Sequence, residues 1–123
     1  MDEDRIRFVE YKGKQILLED FTNVRTDDEL LQLVWAAQKI VQSQPPKSAL
    51  VVVDMTNTHF GPKSTQASKT VSKGNTPHIK ASAMVGLNKL AEIVLNSIRM
   101  VSGRNIASFG TREEAYEWLS KQS

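Results

Sequence analysis

The run ALVVVD, from Ala49 to Asp54, constrains the fold of this chain more than any other segment. Its aliphatic side chains follow one another without a polar alternate, so both faces of the element have to be buried. A strand meets that condition in the middle of a helix-covered sheet. Ser48 to Asp54 is therefore read as a central strand, and Asp54 marks the point where the chain leaves it.

The flanking residues supply the other elements. Ile6 and Phe8 alternate with Arg5 and Arg7, the period of a half-buried strand. Lys12–Gly13 gives a tight connection to a second strand, Gln15 to Glu19, so the chain opens with a hairpin. Thr26 to Glu29 (TDDE) is a capping box, with aspartates suited to the positive end of a helix dipole. That helix is expected to run to about Ser43 and stop before Pro45–Pro46. Leu30, Leu33, Val34, Ala37, Ile40 and Val41 form its apolar stripe. Leu31 and Trp35 fall off the stripe, either padding the core margin or facing a partner.

Residues 55–77 are the least regular. Gly61–Pro62 can start a helix and Gly74–Asn75 can end one. Between them only Ala67 and Val71 share an apolar face, which predicts a short or mobile helix. Ile79, Ala81, Ala83 and Val85 alternate with Lys80, Ser82 and Met84 as a further strand. Its more polar second face suits cover by that poor helix. After Gly86 a strongly patterned helix is expected over Leu87 to Ser102, stopping at Gly103. Asn105 to Phe109 reads as a last strand. Thr111 to Glu114 (TREE) opens a final helix that packs Ala115, Trp118 and Leu119.

The resulting order is ββαβαβαβα, a single α/β domain over residues 1–123. It implies one mixed, mostly parallel sheet with right-handed crossovers. Ligands in such sheets usually meet the loops after the carboxyl ends of the strands. Those loops are Asp54 to Pro62, Gly86 to Asn88 and Gly110 to Thr111.

The absence of cysteine removes disulfides, thiolate metal sites and cysteine nucleophiles. The acidic start MDEDRIRF lacks the apolar core of a secretory signal. ALVVV is far too short to cross a bilayer. A cytoplasmic, soluble protein without a membrane span is expected. Net charge is only +2, but residues 55–91 hold Lys63, Lys69, Lys73, Lys80 and Lys89 and no acid. This basic zone is either a solvated lysine face or an attraction for an anionic partner.

The opening hairpin, the strand closing on VVVDMTN, the stretch NTPHIKASAMVGL and the terminal TREEAYEWL together resemble the STAS superfamily. Within it, they are most similar to small bacterial proteins of the anti-sigma-factor-antagonist type. The resemblance implies a compact, non-enzymatic domain that docks on protein partners. It also implies a Ser or Thr phosphorylated at the start of the helix after the central strand. Asp54–Met55–Thr56 matches the family's acid-apolar-hydroxyl triplet, and Phe60 its buried aromatic. The family's Asp-Ser-Ser-Gly motif is absent, and Ser64 is the position nearest its phosphoacceptor.

The candidate site is accordingly the segment from Asp54 through Thr65, with Asp54, Thr56, Asn57, His59, Lys63, Ser64 and Thr65 as binding residues. Asp and Asn in such a loop can instead hydrogen-bond the turning backbone. Ser64 and Thr65 can cap the helix, while a phosphate there would gain from the helix dipole and nearby lysines. His59 and His78, nineteen positions apart in the sequence, lack metal-ligand spacing, so neither metal nor cofactor is expected. No nucleophile elbow, P-loop or dinucleotide fingerprint occurs, and no enzyme activity is expected.

Two functions remain in view. One is a regulatory, protein-interaction module of STAS-like type acting through this loop and the adjacent weak helix. The other is a small-molecule or lipid carrier with segment 61–76 as a lid, because STAS-like folds resemble CRAL-TRIO lipid carriers in outline. Nucleic-acid binding is disfavoured by the scarcity of aromatic side chains around the lysines. Self-association is left open: Leu31 and Trp35, or Ile93 and Met100, could form a homodimer contact.

Overall fold

The computed structural model describes residues 2–89, 92, 93, 95, 96 and 105–122. Its strands are β1 (Ile6–Tyr11), β2 (Lys14–Asp20), β3 (Ala49–Asp54), β4 (Ile79–Val85) and β5 (Ile106–Phe109). They form one five-stranded mixed sheet in the order β1-β2-β3-β4-β5. Only the β1–β2 pair is antiparallel; β3 lies in the middle between parallel neighbours. The aliphatic run thus occupies the central position that its composition demands.

Lys12 and Gly13 both have positive φ, the geometry of a two-residue hairpin turn. The principal helices are α2 (Asp27–Val41), α3 (Pro62–Asn75) and α4 (Arg112–Ser120). A short helix, α1 (Asp2–Arg5), precedes β1 and was not anticipated from the sequence. It brings Arg5 to the carbonyls of Asp20 and Thr22, at 3.0 and 2.9 Å, which anchors the amino-terminal residues to the end of β2.

The threonine half of each predicted capping box holds its helix start: the Glu29 amide donates to Thr26 Oγ1 at 3.1 Å, and the Glu114 amide to Thr111 Oγ1 at 3.2 Å. Of the helix read over Leu87–Ser102, Lys89, Glu92, Ile93, Leu95 and Asn96 are helical. Leu90, Ala91, Val94, Ile98, Met100, Val101 and Gly103 lie outside the described residues.

The sheet separates two apolar clusters. On one face Leu17 and Val51 pack against Leu30, Leu33, Val34, Ala37 and Val41 of α2 and Ala67 and Val71 of α3. Right-handed crossovers that advance steadily in one direction place their helices on one face in this way. On the other face Ile16, Leu18, Leu50, Val52, Ala81, Ala83 and Val85 are covered by Ala115 and Leu119 of α4.

The alternation of β4 is broken at its start. Ala49 pairs with Ile79 but Leu50 with Ala81, a bulge that absorbs Lys80. Ile79 therefore packs with the α2–α3 cluster instead of sharing a face with Ala81 and Ala83. Helix α3 is longer than its apolar content suggested. Its buried residues are Ser64, Ala67, Val71 and Asn75, so only two are apolar. Its ends are held by polar contacts instead.

Candidate functional site

Two adjacent parallel strands finish in the same way. The sequences DFTN (Asp20–Asn23) and DMTN (Asp54–Asn57) each form a tight Asp-to-Thr turn. Asp20 Oδ1 accepts from the Thr22 amide at 3.1 Å and the Thr22 hydroxyl at 2.6 Å. Asp54 Oδ1 accepts from the Thr56 amide at 3.0 Å and the Thr56 hydroxyl at 2.6 Å. Asn23 and Asn57 then both adopt the left-handed conformation, each with φ 57°. Asn tolerates this region because its short amide can bond locally. The two amides meet, Asn57 Nδ2 donating to Asn23 Oδ1 at 2.8 Å.

Backbone pairing continues past the strands through these turns: the Phe21 amide bonds the Asp54 carbonyl at 2.9 Å, and the Asn23 amide the Thr56 carbonyl at 3.1 Å. Arg112, in the first turn of α4, closes the arrangement from the other side. Its Nε donates to Asp54 Oδ2 at 2.6 Å and its Nη2 lies 3.2 Å from Asp20 Oδ1. For Asp20, burial pushes the carboxyl up, but bonds from Thr22 and the Arg112 charge outweigh it and hold it below the usual range. Arg112 is likewise desolvated, yet the two aspartates keep it more firmly protonated than usual.

The first part of the predicted loop is thus consumed by its own turn. Asp54 is only 5% exposed, and Thr58 is buried with its hydroxyl on the Phe21 carbonyl. Thr56, Asn57, His59 and Phe60 face solvent. His59 and His78 lie at opposite ends of the sheet, one after β3 and the other before β4. His78 Nδ1 is 2.8 Å from the Gln44 carbonyl. Among the described residues no cluster of three or more His, Asp or Glu could hold a metal.

The start of α3 carries an acid supplied from α2. The Asp27 carboxylate accepts from the amides of Ser64 and Lys63, at 2.8 and 2.9 Å. The neighbouring Ser64 hydroxyl and then the backbone amides of Ser64, Lys63 and Gly61 hold the Asp27 carboxyl below the usual aspartate range. This carboxylate already occupies the position a phosphate would take at the helix N-terminus. Ser64 itself is 0% exposed, and its Oγ accepts from the Gly61 amide at 3.2 Å. Lys63 reaches Asp28 at 3.2 Å in an exposed pair. At the far end of α3, Gln42 Nε2 donates to Asn75 Oδ1 at 3.1 Å.

Between these two attachments α3 bridges a cavity of about 330 Å³. Its apolar lining includes Val34 and Ala37 of α2, Val51 and Val53 of β3, and Met84 of β4. Thr65, Ser68 and Lys69 of α3 line it as well, and the solvent-exposed Phe60 stands at its margin. Of the predicted binding residues only Thr65 belongs to this lining. Asp20, Asp27 and Arg112 were not anticipated as site residues. The recurrence of D-x-T-N 34 positions apart was the available signal for the first.

No family model matches the chain, and no curated protein or solved structure is significantly similar to it. No helix among the described residues is long and apolar enough to cross a membrane.

Proposed function

We propose that this α/β domain binds a small, largely apolar molecule in the cavity between α3 and the sheet, with segment 61–76 as its cover. The observation that carries this reading is a 330 Å³ space under a helix that buries only two apolar residues. Ligand sites typically start at about 300 Å³ and combine apolar walls with a few placed polar groups. A helix fastened at its ends, and only thinly in between, can lift without dismantling the sheet.

Native mass spectrometry of protein purified from its own host tests this reading. A co-purifying small molecule is expected, and Ser68→Phe, which projects a ring into the cavity, should remove it. A clean unliganded mass, with no thermal shift from any apolar metabolite or lipid in a panel, would sink it.

A second reading is favoured by the exposure of Thr56, Asn57, His59 and Phe60 beside Asn23 at one rim of the sheet. They form a contiguous surface suited to docking a protein, in keeping with a non-enzymatic regulatory module of STAS-like type. An affinity capture that is unchanged by Asn57→Ala, His59→Ala and Phe60→Ala together would remove that surface from consideration.

A further inference from the structure

We propose that the occupant of this cavity is a single-headed amphiphile whose carboxylate is bound by Lys69, assisted by the hydroxyls of Thr65 and Ser68. The inference rests on the ligand-binding reading above and adds the chemistry of the ligand.

Thr65, Ser68 and Lys69 stand at positions i, i+3 and i+4 of α3, so they share one face of the helix. All three line the cavity. They therefore present two hydroxyl donors and one ammonium to the same space. Lys69 is the only cationic side chain among the described lining residues, and it has no ion pair among the described residues. It is exposed, which puts its charge at the mouth, while the apolar side chains lie deeper against the sheet.

Lys73, four residues further along α3, is exposed and adds positive charge on the same helix face. The other charged lining residue is Glu19, on the sheet wall, which has an interaction of its own. At about 330 Å³ the cavity is of a size for a short apolar chain.

Calorimetric titration with decanoate and with decan-1-ol, on the natural chain and on Lys69→Gln, separates the head from the cavity. Lys69 is exposed, so the variant should keep the far-ultraviolet circular dichroism of the natural chain. The natural chain is expected to bind decanoate more tightly than decan-1-ol. Lys69→Gln should weaken decanoate about tenfold and leave decan-1-ol unchanged, the loss typical of one charge-assisted contact. Equal decanoate affinity in both proteins, or tighter binding of the alcohol by the natural chain, would overturn the head assignment and leave the cavity reading standing. Binding of neither compound would overturn both.

Discussion

The carboxylate of Asp27 fills the space that a side chain on Gly61 would need. A Cβ built on Gly61 would lie 2.6 Å from both Cβ and Oδ1 of Asp27. Close approach of these two residues lets an acid from α2 satisfy the first amides of α3. Gly61→Ala should push Asp27 away, and Asp27→Ala should remove the acceptor outright. Both are expected to speed hydrogen–deuterium exchange over residues 63–71 while the amides of β3 stay protected. Uniform acceleration across the sheet would show that α3 is not an independently opening segment.

Gly86 combines a φ of +74° with a backbone contact, since a Cβ there would lie 2.9 Å from Thr56 Cα. Any side chain is strained in that conformation and also presses on the turn that ends β3. Gly86→Ala should cost about 1–3 kcal/mol in denaturant unfolding. A change near zero would contradict the packing of these two turns.

Arg112 neutralises Asp20 and Asp54 together. Replacing it with Met leaves two carboxylates side by side, one of them 5% exposed. A cost of about 1–3 kcal/mol is expected, below that of a fully buried pair because the guanidinium is partly solvated. Adding Asp54→Asn to Arg112→Met should recover part of the loss. Strict additivity of the two changes in a double-mutant cycle would refute the coupling.

Acid should destabilise the fold within a defined window. Asp20 and Asp27 both have carboxyl groups held below the ordinary value in the folded chain. Their stabilisation is fully present above the ordinary aspartate range and is lost as pH falls through the lowered folded values. Unfolding midpoints should therefore stay flat from neutrality to about pH 5 and drop below about pH 4. The double variant Asp20→Asn with Asp27→Asn should show a shallower drop. An identical acid limb in that variant would assign the loss to other carboxylates.

The layered sheet was legible because its signals are local. ALVVVD announces a doubly buried strand, TDDE and TREE announce helix starts, and each sits within a few neighbouring residues. What escaped depends on distance. The bulge at Lys80 is invisible in an alternating run because only the partner strand reveals the skipped residue. Arg112 declares nothing by itself; its role exists once the ends of β2 and β3 stand side by side. The polar loop after β3 was singled out as a binding segment, with a turn-forming role as the alternative, and a sequence does not show that Asp54 spends its oxygens on Thr56 and Arg112. Ser64 looked like an accessible hydroxyl, and its burial follows from α2 and α3 approaching closely enough for Asp27 to reach across. The cavity is least legible of all, since a void is set by what several elements fail to fill.

The strand order follows the chain without a single reversal, so each new strand from β2 onward can zip onto the edge left by the one before it. Growth of the sheet during synthesis requires no earlier edge to be held open for a later arrival. The α4 face is the exception. Its aliphatic wall from Ile16 through Val85 stays bare until Ala115 and Leu119 have been made. A nascent chain lacking those residues carries an adhesive surface, and ribosome-tethered intermediates of this length are the ones a holding chaperone would meet.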